Sequence, residues 1–332
     1  MAKIGIPRTL AYFTYFPFWK TFFEETGHEV VVSPPTTRAI MDRGVKEAVN
    51  DACIPIKIYH GHVAYLAGKV DCIFCPRLVS VRRHGDFGTE TFCPKFLGLP
   101  DMIRLSLDDL PDIIDTRVDL KKGKNELLNV YLEVGSRLGN SKGEISKAYK
   151  RALQVQRDYQ KILCQGVSPP EAIDLVLGDG AGAGQPRMRG YDLKIAVVGY
   201  PYAIYDSYIN SGLLNILEKE NVQVLTQDML SDKVLNRQAR TLPKDMFWYF
   251  SNRAVYGALH YINQGEISGV IHVTAFACGP DAMVDRLLEI EIRRRSQLPY
   301  LSITIDEHTG EAGVRTRIEA FLDMINYRRE RR

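Results

Sequence analysis

The stretch KIGIPRTLAYFTYFPFWKTFFEETGHEVVV, residues 3–32, holds one complete strand–helix–strand unit. Residues 3–6 (KIGI) are a short apolar run that Pro7 closes. The aromatic stretch at 10–23 continues far beyond strand length, which predicts a helix. Residues 29–32 (EVVV) are the next strand, stopped by Ser33, Pro34 and Pro35. Strand, helix and strand in this order are the repeating unit of a parallel sheet.

The same reading extends outward. Helices are expected around 40–50 and 55–67 and a strand at 70–74 (VDCIF), and Gly98 to Asp101 close this first region. From about 105 to 177 the character changes. LKKGKNELLNVYLEVGSRL (120–138) and KAYKRALQVQRDYQKIL (147–163) carry helical periodicity with almost no strand signal. GDGAGAGQPRMRG (178–190) reads as a linker, because glycine and alanine supply no core. A second series then begins: strands at 194–199, 222–226, 269–274 and 300–305, with helices at 206–219 and 246–264. KIGIPR near residue 3 and KIAVVGYP near residue 194 look like one opening written twice. The expected fold class is α/β. Two Rossmann-like parallel-sheet domains, residues 1–104 and 191–332, face a cleft; a helical segment and Gly-rich linker at 105–190 join them, and a C-terminal helix closes the second. A chemical site is expected at the carboxyl ends of the strands, in the cleft between the halves.

Composition narrows the function classes. With 332 residues, 45% hydrophobic and 25% charged, the chain is neither disordered nor collagen-like. Lys and Arg total 43 against 40 Asp and Glu, a net charge of +3 that exerts no general pull toward nucleic acid. The N-terminal residues show no basic flank followed by an apolar core, so neither a signal peptide nor an anchor is expected. No apolar run reaches the roughly 18 residues of a membrane span, and a soluble cytoplasmic protein is the expectation. Six cysteines are too sparse for a secreted disulfide scaffold, which points to metal binding, catalysis or plain burial.

Four of the six cysteines are followed by proline within two residues: Cys53-Ile-Pro55, Cys75-Pro76, Cys93-Pro94 and Cys278-Gly-Pro280. Proline has no N–H and is favoured in the first turn of a helix, so each such cysteine can sit on the turn entering one. There the free N–H groups and the positive dipole end favour a thiolate and an anionic cluster. Cys75 and Cys278 also follow apolar strands in different halves. A site ligated by three or by all four of these residues is sterically reasonable. The long spacings lack the paired C-x-x-C knuckles of a zinc ribbon. Cys72 and Cys164 are read as small core residues. His60 and His62 are cofactor contacts or satisfied core histidines. Arg8, Arg77 and Lys95 are available to balance a cluster or phosphate charge, or to form surface ion pairs. Arg293 to Arg295 and the tail YRRERR are solvated helix ends, or a docking patch for an acidic partner. No dinucleotide or Walker motif is present.

Several ordered motifs carry a resemblance: the 3–36 stretch, DACIPIKIYHGHVAYL, CPRLVS, CPKFLGLPDMI, FACGPD and DEHTGEAGVRTRIEAFLD. In these the chain resembles the acyl-CoA dehydratase activase-related iron–sulfur family, itself similar to subunits of 2-hydroxyacyl-CoA dehydratases, benzoyl-CoA reductases and double-cubane cluster proteins. The resemblance covers most of the chain except the helical middle. It implies an oxygen-sensitive iron–sulfur cluster, of 4Fe-4S or double-cubane type, held by cysteines from both halves. A separate ATP-hydrolysing activator would feed it one low-potential electron at a time, for reductive chemistry on an acyl-CoA or a small molecule. Carried over by motif, Cys53, Cys93 and Cys278 match the ligands, with Cys75 as a fourth ligand or a neighbour. A homo- or heterodimer formed through the cluster-bearing cleft is expected. Lacking a phosphate-binding motif, the chain depends on a partner for any ATP-driven step. Two alternatives stand beside this reading: a non-catalytic electron carrier or scaffold with a closed four-cysteine cluster, and a structural zinc protein.

Overall fold

In the computed structural model, residues 1–80, 90–123, 125–178, 190–244 and 246–331 are described. The glycine-rich linker expected at 178–190 lies, apart from its two end residues, outside the described residues. Strands β1 (Lys3–Ile6), β2 (Glu29–Val32) and β3 (Cys72–Phe74) appear where the apolar runs place them. Three further short strands follow: β4 (Arg77–Ser80), β5 (Asp112–Ile114) and β6 (Arg117–Asp119). The second series supplies β7 (Leu193–Gly199), β8 (Val222–Leu225), β9 (Gly269–Ala275) and β10 (Tyr300–Ile305).

The two four-stranded sheets run β2-β1-β3-β5 and β10-β9-β7-β8. Read from the other edge, the second is β8-β7-β9-β10, the same order as the first, so the repeated opening corresponds to a repeated topology. Every pairing in both sheets is parallel, with Lys3 opposite Glu29, Ile4 opposite Cys72 and Ile195 opposite Gly269. Each sheet therefore has a switch point beyond the carboxyl ends of its two middle strands, where α/β folds place their ligands. For β7 and β9 that point is formed by Tyr200 and by Phe276 to Cys278.

The middle of the chain differs from the helical expectation in one respect. β5 joins the first sheet as an edge strand beside β3, and β6 pairs with β4 in a separate two-stranded sheet. Three-residue strands such as DII and RVD are too short to show a period of two, and pairing with a preformed neighbour is what makes them strands. The rest of the segment is helical, with helices at Glu126–Arg137, Lys142–Leu163 and Pro169–Leu177.

These helices pack on the aromatic helix Tyr12–Glu25. Tyr131 packs tilted against Phe18 and edge-on against Phe22, each with ring centroids 4.7 Å away, while Trp19 and Phe23 meet Phe74 of β3 edge-on. Pro17 sits inside the aromatic helix and provides no N–H for the carbonyl four residues earlier. That carbonyl, Phe13 O, accepts instead from the Tyr159 hydroxyl, and Gln156 Nε2 donates to Thr14 O at 2.9 Å. The long helix thus satisfies the backbone that the proline disrupts. Buried side chains of both sheets belong to one continuous apolar cluster, with a second cluster under β7, β9 and the helix Tyr249–Gln264. Among the described residues no helix is long and apolar enough to cross a membrane.

Candidate functional site

Three proline-marked cysteines occupy the same kind of position. Cys53 is the N-cap of helix Ile54–Leu66, Cys93 of Pro94–Leu97, and Cys278 of Gly279–Arg295, each with extended backbone and proline in the first turn. The fourth does not. Cys75-Pro76 connects β3 to β4, two strands, so this cysteine does not cap a helix. Cys75 is fully buried, hydrogen-bonded with Tyr59, and surrounded by Asp115, Arg104 and Arg77.

An electrostatic coupling links the first three across the halves: Cys53 is among the groups that push the Cys93 thiol up, and Cys53 and Cys93 are among those that push up Cys278. Tyr202, in the short helix Pro201–Tyr205 after β7, is coupled electrostatically to all three, and Tyr200, the N-cap of that helix, to Cys278 and Cys93. Burial pushes the Cys93 thiol up, against the N–H groups of Phe96 and Lys95 and the Lys95 charge. Cys278 is also pushed up, by burial first, then by the Asp281 carboxylate and by Cys53. The thiolate-favouring effect expected of helix N-termini is thus outweighed at Cys93 and Cys278 in the metal-free protein, because desolvation opposes the charged form more than the dipole favours it. A bound cation reverses that balance, since a coordinated thiol is deprotonated outright. Burial raises the remaining buried thiols too, Cys72 to about 11 and Cys75 to about 12.

Packing across the two halves holds the three helix ends in place. Thr91 exchanges backbone hydrogen bonds of 2.8 Å with Phe247 and Tyr249, and Asn252 Nδ2 donates to Glu90 Oε1 at 2.9 Å. Phe92 and Phe96 then pack on Phe250, which sets Cys93 against the second half. Lys57, one turn beyond Cys53, forms a 3.0 Å ion pair with Glu307 after β10. The Thr36 hydroxyl donates to the buried Asp206 carboxylate.

The other singled-out residues resolve individually. His60 Nδ1 is 2.8 Å from Ile56 O, and His62 bridges Ser33 and Thr36, so both are satisfied core histidines. Burial drives His62 down to about 3, with the Arg8 charge adding to it. Arg77 is used by Asp101, Asp115 and Leu97 O. Lys95 stands beside Cys93. Arg294 and Arg295 pair with Glu291, and Arg293 with Glu289. Cys72 is buried in β3, whereas Cys164 is exposed rather than in the core, because the helix ends at Leu163 and Cys164 falls past its apolar stripe.

Residues 3–230 match the family model described as "CoA enzyme activase uncharacterised domain". The chain belongs to this CoA enzyme activase-related family. Residues 183–325 match a second model, "2-hydroxyglutaryl-CoA dehydratase, D-component", which ties the second half to dehydratase components. The two matches together cover Cys53, Cys75, Cys93 and Cys278. No curated protein matches the chain. A solved structure described as "crystal structure of SsGBP and GDP complex" aligns over 98% of this chain and 99% of its own, at 10% identity and a TM-score of 0.25, a likeness too low to carry an argument. Among the described residues no group of three or more His, Cys, Asp or Glu stands close enough to hold a single metal ion.

Four residues near these cysteines were not singled out from sequence. Tyr200 and Tyr202 carry no motif of their own. His272 does leave a signal, as the one imidazole in the apolar run GVIHVTAFA, and Asp281 ends the stretch ACGPD.

Proposed function

We propose that the chain is a cytoplasmic iron–sulfur redox protein that holds a cubane-type cluster on Cys53, Cys93 and Cys278. It takes low-potential electrons from a separate ATP-hydrolysing activator, for reductive chemistry on an acyl-CoA or a small molecule. The observation that carries this reading is the shared N-cap position of three cysteines from both halves of the chain, coupled to one another electrostatically. Family membership and the match to a dehydratase component support it.

The donor set suits the group. Three thiol-bearing helix ends offer soft sulfur ligands with N–H groups alongside to stabilise a polyanionic cluster. A cubane binds each thiolate through a different iron, so its ligands stand farther apart than those of one ion. Among the described residues no group of three or more such ligands stands close enough to hold one structural zinc ion. When bound, such a cluster supplies one-electron transfer, and with three protein ligands it keeps one iron open to an outside group. Cys75, buried against Tyr59, is left out of the ligand set, which disfavours the closed four-cysteine carrier. Tyr200 and Tyr202 wall the site from β7, and Lys95 offsets negative charge beside Cys93. Phe276, Met283 and Ile290 expose apolar surface along the Cys278 side, the face through which we propose dimerisation.

Iron and acid-labile sulfide per chain, measured after anaerobic reconstitution with the visible spectrum before and after dithionite, test this function. About four irons with matching sulfide and a bleachable brown absorption are expected. Cys53→Ala, Cys93→Ala and Cys278→Ala should each lose most of the iron, while Cys75→Ala and Cys164→Ala keep it. Equal iron in all five variants, or zinc in its place, sinks the assignment.

A further inference from the structure

Where the aromatic helix, the long helix of the middle segment and the second half meet, the side chains enclose a cavity of about 220 Å³. Aromatic rings wall it: Phe13 and Tyr15 from Tyr12–Glu25, Tyr159 from Lys142–Leu163 and Tyr249 from Tyr249–Gln264. Its charged residues are Arg253, Asp228 and Asp232, one cation against two anions. A second, predominantly apolar cavity of about 120 Å³ adjoins it, between Trp19, Leu78, Val118, Leu127 and Leu153. Tyr15 and Gln156 line both, so the two form one site with a polar and an apolar compartment.

The polar compartment is short of positive charge. Asp228 and Arg253 are both buried, yet Arg253 gives its close contact to Asp232, Nη1 to Oδ1 at 2.6 Å. Its other nitrogen, Nη2, stands 3.9 Å from Asp228 Oδ1, beyond hydrogen-bond reach. Asp228 Oδ2 accepts from neutral donors, the Tyr205 hydroxyl at 3.0 Å and Gln227 Nε2 at 2.8 Å. A buried carboxylate without a close cation is costly, and burial accordingly pushes Asp228 above its ordinary value. Two oxygens of the same cavity are also unused: Gln156 Oε1 and Thr14 Oγ1 are buried, with no hydrogen-bond partner among the described residues. The amide of Gln156 cannot turn over to satisfy itself, because its Nε2 donates to Thr14 O at 2.9 Å. Surplus negative charge, unused acceptors and aromatic walls are what recognises an ammonium group. An anion would instead meet two carboxylates and a guanidinium already engaged by one of them.

We propose that this site binds a small primary amine, its ammonium in the polar compartment with Asp228 and Gln156 Oε1, its hydrocarbon chain in the apolar compartment. The proposal is independent of any cluster, since none of Cys53, Cys93 and Cys278 lines either cavity. A ligand bound there touches both halves of the chain and the helix between them, so it stabilises their docking by mass action.

Calorimetric titration of the full, metal-free chain at pH 7.5 with n-butylamine and n-hexylamine tests this; both are protonated there, as a lysine side chain is. Hexylamine should bind saturably, with a gain of about fourfold in affinity for each methylene beyond butylamine. Hexanoate and hexan-1-ol, of the same chain length, should bind about tenfold more weakly or worse. Asp228→Asn should weaken hexylamine about tenfold, the loss of one charge-assisted contact. Leu153→Phe fills part of the apolar compartment and should erase the gain from butylamine to hexylamine while butylamine still binds, which keeps the test decisive if Asp228→Asn folds poorly. Hexanoate binding as tightly as hexylamine overturns the proposal and assigns the site to an anion on Arg253. Equal affinity for the two amines in the wild-type chain, unchanged hexylamine affinity in Asp228→Asn, or no saturable binding of either amine overturns it as well. Iron uptake without amine binding removes this proposal alone, whereas amine binding in a chain that takes up no iron upholds it and removes the cluster reading.

Discussion

Raising the pH of the metal-free protein from 6.5 to 8 should cost it on the order of 1 to 2 kcal/mol of stability, through His272 alone. The ring has no exposed surface and is held up to about 9 by Asp281 and Asp285, against 6.5 in an unfolded chain. A group whose proton is bound more tightly in the folded state contributes its full stability below the unfolded pKa and loses it as pH rises through the folded one. The raised value corresponds to about 3 kcal/mol in all, of which about half is lost between pH 6.5 and 8 and most of the rest by pH 9. The depressed Asp285 carboxyl reports the same contact, so it adds nothing further. Two features isolate the effect. His60, His62 and His260 are shifted downward by burial, so their contribution falls away only below about pH 6.5. The raised thiols of Cys93 and Cys278 matter only once free thiols ionise, above about pH 8. Stability should therefore peak near pH 6.5. Urea unfolding of the reduced, metal-free chain, followed by tryptophan fluorescence at half-unit pH steps, measures it. The slope should flatten in Asp285→Asn, which removes one of the two anions. A level profile from pH 6.5 to 8, or an unchanged slope in Asp285→Asn, refutes the assignment of a buried imidazolium.

Three further outcomes follow from the packing. Gly61→Ala, favourable by helix propensity, should instead destabilise by about 2 kcal/mol, since a Cβ there would stand 2.0 Å from Ile40 O; a thermal midpoint at or above wild type would contradict that contact. Glu307→Ala should cost about 2 kcal/mol by leaving the buried Lys57 ammonium unpaired, whereas Lys57→Met should be nearly neutral; equal losses in chemical denaturation would show that the ion pair itself stabilises. In the folded metal-free protein, exposed Cys164 should be alkylated at once and Cys75 only after unfolding; early labelling of Cys75 would place it in a more open environment than β3 and β4 provide.

Much of the architecture was legible because it depends on local pattern. The runs at 3–6, 29–32, 194–199 and 300–305 are strands, since short β-branched runs bounded by glycine or proline have few alternatives. The cysteine–proline pairs located three helix starts for a similarly local reason: proline suits the first turn of a helix. The limits of local pattern appear at Cys75, whose Cys-Pro reads the same but leads into β4, because β6 is present to pair with that strand. They appear again at β5, which is a strand only because β3 lies beside it. Cys164 illustrates the opposite failure, a helical stripe extrapolated one residue past the helix end.

By itself, then, the sequence determined the doubly repeated α/β pattern, the family and the helix-capping places of Cys53, Cys93 and Cys278. Only the tertiary structure decided that these three couple electrostatically across the halves while Cys75 is buried against Tyr59, and that Asp281 is held by His272 in the first turn of the helix that Cys278 caps. Propensity and capping act over a few neighbouring residues, whereas Cys53 and Cys278 couple only after two sheets have formed and docked through Thr36–Asp206, Lys57–Glu307 and the strand-like contact at Thr91. Such long-range contacts depend on the whole core, and no short stretch of sequence contains them.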